Sequence, residues 1–240
     1  MTRVWLTRPH ADSARMGEAL AARGVDSLIA PVLTIKPYRF HPPRLLPDAL
    51  LLTSRHTAIA LMALAQEWRG LPVYCVGPAT ARIAHQHGFY KTIVGRGSAT
   101  TLLPKILSNL RSGDKILHLS GDEVRVNLTP LLQRYSITLE RLMVYRATAS
   151  DALPPTLQHA LAAGQIGGAV FYSPRSAHLA HGLLAQAGLL PAMVGIDAYC
   201  LSLAVAEEAS QLGCKSLHVA DQPTHQAMME LLLNSVMTAP

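Results

Sequence analysis

The segment Tyr74–Gly88, YCVGPATARIAHQHG, returns 125 residues later as Tyr199–Gly213, YCLSLAVAEEASQLG, with seven of fifteen positions identical and no gap. Upstream of each copy stands a second matched pair, LLTSRHTA (Leu51–Ala58) and VFYSPRSA (Val170–Ala177). Downstream stands a third, KTIVGRGSATTLLPKIL from Lys91 and KSLHVADQPTHQAMMELL from Lys215. Three matched blocks in one order mean two similar units rather than one mixed core. A chain of 240 residues has room for them, at about 110 to 120 residues each. Two like domains facing each other make a cleft, where a ligand can be held.

Short aliphatic runs alternate with helix-period stretches throughout, which predicts α/β architecture with parallel strands. Strands are expected at Val4–Thr7, Ser27–Val32, Ala49–Thr53, Val73–Val76, Thr92–Val94, Lys115–Leu119, Leu139–Tyr145, Ala169–Tyr172, Ala198–Leu201 and Ser216–Val219. Helices are expected at Ala11–Arg23, Ala58–Trp68, Ala79–His87, Thr101–Leu110, Val126–Tyr135, Ser176–Ala187, Leu203–Leu212 and His225–Val236. Gly24, Gly88, Gly188 and Gly213 follow helices at positions that suit a left-handed residue. Residues 1–33 and 115–145 both read strand–helix–strand, while 49–110 and 168–236 both read as three strand–helix units. Two assemblies satisfy this pattern: a tandem pair divided near Ser112–Gly113, or a middle domain inserted into one made of the chain ends. In the second, the chain crosses near Thr34–Phe40 and Tyr145–Ser150, where TIKPYRFHPP reads as an extended linker.

Composition narrows the function classes. Half the residues are hydrophobic and only 15% are charged, which argues against extended disorder. The net charge of +6 favours anionic partners, but no Lys/Arg run with interleaved aromatics marks a nucleic-acid groove. Cys75, Cys200 and Cys214 lack CxxC spacing, and the first two are repeat equivalents in apolar strands, so they read as buried thiols. MTRVWLTRPH has no apolar signal core, and the apolar stretch Leu189–Ala206 is broken by Pro191, Gly195 and Asp197. The expectation is a soluble, cytoplasmic protein with no membrane span.

In parallel α/β sheets, ligands meet the carboxyl ends of strands and the helix N-termini that follow. Those positions hold Thr7-Arg8-Pro9, Thr53-Ser54-Arg55, Gly77-Pro78-Ala79-Thr80, Ser120-Gly121, Ser173-Pro174-Arg175-Ser176 and Ser202. Each hydroxyl alone suits a helix cap. As a set with three arginines they form a rim suited to carboxylates or phosphates. Competing chemistries lack their parts. Gly95–Thr100 misses the third glycine of a dinucleotide fingerprint and the Lys of a phosphate loop. His178 with His181, and His85 with His87, have no Cys or carboxylate at ligand spacing, so no metal site is expected. No GxSxG elbow or carboxylate pair stands out, which points to a substrate that reacts once held and oriented.

VWLTRP, SLIAPVLTIKP, DALLLTSRHTA, VYCVGPATA with its helix and HGF, KILHLSGD, LERLMVYRA and AVFYSPRSA, in that order, resemble the uroporphyrinogen-III synthase family. The likeness covers nearly the whole chain. It implies two similar parallel-sheet α/β domains, discontinuous, joined by a two-stranded linker with a cleft between them. The middle domain would span 39–146, and 1–37 with 148–240 would form the other. The family turns hydroxymethylbilane, a linear tetrapyrrole octacarboxylate, into uroporphyrinogen III without metal or organic cofactor. The resemblance also implies a monomer, with transient contact with hydroxymethylbilane synthase as a further partner.

Carried over by matching positions, Tyr145 in VYRA is the catalytic candidate, as an acid that assists departure of the substrate hydroxyl. Core packing is the competing role for a tyrosine in an aliphatic strand. Thr80 in GPATA and Ser173 in YSP match the family's cleft hydroxyls and would bind substrate carboxylates. Thr53, Ser54, Arg55, Arg8, Gly77, Pro78, Ala79, Ser120 and Ser202 complete the substrate-binding set. The chain departs from the pattern in its second copy, where Ser202-Leu203-Ala204-Val205-Ala206 replaces a GPTTA-like turn. The reading from a different class is a non-catalytic two-domain protein that closes on a small anion.

Overall fold

The aliphatic runs pair into two sheets in the computed structural model, which describes residues 2–124 and 126–237. The chain runs β1 (Arg3–Leu6), α1 (His10–Ala21), β2 (Ser27–Ile29), β3 (Leu33–Pro37), β4 (Ala49–Leu52), α2 (Ala58–Leu61), β5 (Val73–Cys75), α3 (Pro78–Gln86), β6 (Thr92–Val94) and α4 (Leu103–Asn109). It continues with β7 (Lys115–Gly121), α5 (Thr129–Gln133), β8 (Thr138–Ala149), α6 (Pro155–Ala162), β9 (Ile166–Phe171), α7 (Pro174–Gln186), β10 (Asp197–Cys200), α8 (Leu203–Ala209), β11 (Ser216–Val219) and α9 (His225–Met237). Two units result, one of Met1–Thr34 with Thr148–Pro240 and one of Ile35–Ala147.

The terminal unit holds a parallel sheet in the order β2-β1-β9-β10-β11. Its core lies on both faces. Trp5, Phe171 and the α6, α7 and α8 side chains fill one, and Val4, Leu6, Met16, Val170 and Tyr199 fill the other. Trp5 and Phe171 meet edge to face at 6.2 Å, which supplies aromatic packing in a mostly aliphatic core.

The middle unit's sheet runs β3-β8-β7-β4-β5-β6, with β8-β7, β7-β4, β4-β5 and β5-β6 parallel. All four residues of β4 are buried, as expected of a central parallel strand covered on both faces. The repeat is thereby realised with a change of starting point. β4-β5-β6 stand in the same order as β9-β10-β11, and β7 and β8 flank β4 as β1 and β2 flank β9. In chain order, then, each unit is a circular permutation of the other.

Gly88 and Gly213, which close the two copies of the opening repeat, adopt φ of 85° and 67°. That left-handed region costs a side-chain-bearing residue free energy and costs glycine little. Elsewhere the elements depart from the sequence expectation for local reasons. Part of the supposed linker is the strand β3, which lies beside β8 with Tyr38 N donating to Val144 O at 2.9 Å. The helix expected over Ala58–Trp68 is only the four residues of α2 followed by a separate 3-10 turn, Gln66–Gly70. Leu61, Leu64 and Trp68 nevertheless stay buried, so the apolar spacing that looks helical is satisfied by a folded-back turn. The sequence pattern does not show α6, because the pair Pro154-Pro155 reads as a helix breaker; Pro154 is instead the N-cap and Pro155 the first helical residue, where no N–H is needed. Among the described residues no helix is long and apolar enough to cross a membrane.

Candidate functional site

A doubly wound sheet binds ligands where its strand order reverses, in the crevice beyond the carboxyl ends of the two strands concerned. In the middle unit those strands are β4 and β7, and in the terminal unit β1 and β9. The rim residues read from the sequence fall mostly at these two places.

In the middle unit, Thr53 stands just past β4 and its Oγ1 lies 2.8 Å from Nε2 of His118 on β7. The register places Leu51, His118 and Arg141 in one row across β4, β7 and β8. His118 is 3% exposed. Burial first, and the Arg141 charge second, push its imidazole down to about 4. The ring is therefore neutral at pH 7 and has one donor and one acceptor nitrogen. Ser120 is buried beside it. It donates to Gly121 O at 3.0 Å and accepts from Arg141 Nε at 2.8 Å, so its hydroxyl is held within the strand end. Arg141 also donates to the carbonyls of Gly121 and Asp122.

Tyr145 pairs with Gly121 across a bulge in the β7–β8 register. A Cβ at Gly121 would stand 2.5 Å from Tyr145 Cε2, so the phenol ring lies directly on the glycine backbone. The His56 ring meets the Tyr145 ring edge to face, with centroids 5.6 Å apart. Ser54 positions His56 by accepting its N–H at 3.2 Å, and its carbonyl takes the Thr57 hydroxyl at 2.6 Å. Arg55 opens the 3-10 turn between them. One strand over, Gly77 is the extended N-cap of α3 and Pro78 its first residue. The Gly77 carbonyl takes the N–H groups of Thr80 and Ala81, which leaves the Ala79 turn at the positive end of the helix dipole. Thr80 is buried, at 5% exposure.

In the terminal unit, the Arg8 guanidinium lies 4.2 Å from the centroid of the Tyr172 ring and 2.7 Å from the buried Asp12 carboxylate. The Tyr172 hydroxyl stands 2.6 Å from His225 Nδ1. Thr7 Oγ1 donates to Val170 O at 2.6 Å and so links β1 to β9 at the reversal point. Ser173 and Ser176 form a full capping box at the start of α7. Capping, the role that competes with substrate binding for such a serine, is thus occupied at Ser173. Ser202 is the N-cap residue of α8 but makes no side-chain cap bond.

The structure thus groups Thr53, Ser54 and Ser120 at the ends of β4 and β7, with Tyr145 on β8 paired to the last residue of β7, and Arg8 with Ser173 at β1 and β9. Gly77–Thr80 and Ser202 stand at the neighbouring strands β5 and β10. The sequence pattern does not single out His56, His118, Arg141, Tyr172 or His225. A lone histidine inside the apolar strand KILHLSG is the available signal for His118. Its link to Arg141 depends on a register that no local pattern shows. Among the described residues no group of three or more His, Cys, Asp or Glu is arranged to hold a metal. Burial pushes the Cys75 and Cys200 thiols up to about 12, which keeps them protonated and unreactive.

A family model described as uroporphyrinogen-III synthase HemD matches residues 14–230. The chain belongs to the uroporphyrinogen-III synthase family. Solved structures of two such synthases resemble it over their full length. One, a uroporphyrinogen-III synthetase from Helicobacter pylori, is 15% identical, covers 98% of this chain and 100% of its own, and superposes with a TM-score of 0.64. The other, a mutant uroporphyrinogen III synthase from Thermus thermophilus, is 16% identical, with all of both chains covered and a TM-score of 0.50. At such identities the likeness is one of fold: mixed α/β with parallel sheets. No curated protein matches the chain by sequence.

Proposed function

We propose that the chain is a uroporphyrinogen-III synthase, a cyclising lyase of tetrapyrrole biosynthesis acting on hydroxymethylbilane. The observation that carries this reading is the family match across residues 14–230. The hydroxyl-rich strand ends of both units agree with it, because the substrate bears eight carboxylates. Water leaves the hydroxymethyl carbon of ring A, and the resulting azafulvene is attacked by the substituted carbon of ring D. The spiro intermediate then fragments and recloses with ring D inverted. Thr53, Ser54, Arg55, Gly77-Pro78-Ala79-Thr80, Arg8, Ser173 and Ser202 would bind carboxylates through hydroxyls, guanidinium forks and helix N-termini.

Tyr145 is the proposed acid for the departing hydroxyl. Its ring lies against Gly121 and meets the His56 ring at a steep angle, and such a fixed phenol can protonate a leaving oxygen without reorganising. The protein would work as a cytoplasmic monomer, in transient contact with hydroxymethylbilane synthase. A non-catalytic binder of small anions gains no support from the comparisons. The test is to generate hydroxymethylbilane in situ with the protein present, oxidise the products and resolve the type I and type III isomers. Type III is expected, and type I alone would sink the reading. Tyr145→Phe should lower turnover roughly 100-fold or more at unchanged melting temperature, and near-normal turnover would assign Tyr145 to packing.

A further inference from the structure

At the reversal point of the middle sheet, one side-chain hydrogen bond joins the two strands that define the crevice. Thr53 Oγ1 and His118 Nε2 stand 2.8 Å apart, Thr53 just past the end of β4 and His118 within β7. The two residues differ in exposure. Thr53 is partly exposed, whereas His118 is buried behind it at 3%. Arg141, the register partner of His118 on β8, is committed to Ser120 Oγ and to the carbonyls of Gly121 and Asp122. A cation fixed beside the imidazole opposes a second positive charge there. The ring therefore keeps one donor nitrogen and one acceptor nitrogen.

A threonine hydroxyl rotates freely unless something holds it. In the tautomer that carries its proton on Nε2, the ring donates to Thr53 Oγ1, and the threonine hydroxyl proton then turns away from the ring. We propose that His118 is a positioning residue that fixes the Thr53 hydroxyl as a donor to a substrate carboxylate at the β4/β7 reversal point. The proposal rests on the synthase reading and extends it to a residue that touches no substrate. A buried histidine serving only as core packing makes a different prediction. Replacing a buried polar pair by apolar groups of similar shape can leave stability unchanged or raised, and substrate affinity would then stay as it was.

Steady-state kinetics with hydroxymethylbilane generated in situ separate the two roles. Thr53→Val, His118→Phe, their double variant and His118→Gln are compared with the parent, and thermal melting is followed in parallel. Loss of one oriented hydrogen bond corresponds to a KM rise of roughly three- to ten-fold, with kcat within about twofold, the pattern of lost uniform binding. Thr53→Val and His118→Phe should each show it. The double variant should be no worse than either single, because both remove the same bond. His118→Gln, whose amide can reach Thr53, should recover most of the parent KM. A parental KM in His118→Phe, or independent and additive effects of the two changes, overturns the proposal. Should His118→Phe fail to fold, His118→Gln decides: a KM as high as that of Thr53→Val overturns the proposal, and a near-parental one upholds it. A parent that yields only the type I isomer overturns the synthase reading itself, an outcome distinct from all of these.

Discussion

Acidification should weaken the middle unit through a single side chain. His118 titrates near 6.5 in an unfolded chain, but burial and the neighbouring Arg141 hold it at about 4 in the fold. As pH falls through 6.5 the unfolded chain binds a proton that the folded chain refuses until about 4. The contribution is therefore fully present above 6.5 and drains away between 6.5 and 4. A displacement of that size, at about 1.4 kcal/mol for each pH unit, amounts to about 3 kcal/mol. Such a loss is a large part of the 5–15 kcal/mol that usually holds a domain together, on the order of a third. The two tryptophans make it measurable, since Trp5 is buried in the terminal unit and Trp68 in the middle one. In a Trp5→Phe background, urea unfolding followed by Trp68 fluorescence at pH 7, 5.5 and 4 reports the middle unit. The same background carrying His118→Gln lacks the ionisable ring and should lose about 3 kcal/mol less between pH 7 and 4. Parallel losses in the two proteins would refute the argument, because the refused proton would then belong to another group.

Two further substitutions probe the site from the fold side. Gly121→Ala puts a methyl 2.5 Å from the Tyr145 ring, which must shift. About 1–3 kcal/mol of stability should be lost, and turnover should fall towards that of Tyr145→Phe; a fully active variant would show that the ring position is unimportant. Ser173→Ala removes the capping box of α7 and should cost about 1 kcal/mol, seen in the unfolding signal of Trp5 but not in that of Trp68. An equal change in both signals would show that the cap is not a local feature of the terminal unit.

The repeat made the strand ends legible. At Leu52-Thr53 and Phe171-Tyr172-Ser173, where an aliphatic run stops at a hydroxyl, the structure places a β-strand terminus or the first turn after it, whereas at Tyr145-Arg146 the strand β8 runs on to Ala149. Turn glycines were equally readable, since a left-handed φ is a local demand that glycine meets cheaply. Relations set by pairing were not readable. His118 and Arg141 are neighbours only because β7 and β8 pair in one register, and the sequence between them carries the α5 connection rather than any sign of that pairing. Helix length failed at Ala58–Trp68 for a related reason. Alanine and leucine at helical spacing satisfy a helix and a folded-back turn alike, and tertiary packing decided between them. The diverged turn at Ser202 is visible in the sequence as a loss of polarity; in the structure Ser202 is the N-cap of α8 and makes no side-chain cap bond, as at Gly77 of α3.

The permuted strand order also governs what a growing polypeptide can do during translation. β1 emerges early with β2 on one side, but its other neighbour, β9, begins only at Ile166. At ordinary synthesis rates of about 5–20 residues per second, that partner arrives roughly seven to thirty seconds later. Residues 35–147 are contiguous, so the middle unit has every strand it needs long before the terminal sheet does. The nascent chain must therefore keep the apolar run Val4-Trp5-Leu6 waiting, with one strand edge open, while a complete domain forms downstream. An open apolar edge is a template for unwanted pairing. The interval before β9 is synthesised is accordingly when this protein is most exposed to aggregation and most dependent on chaperones.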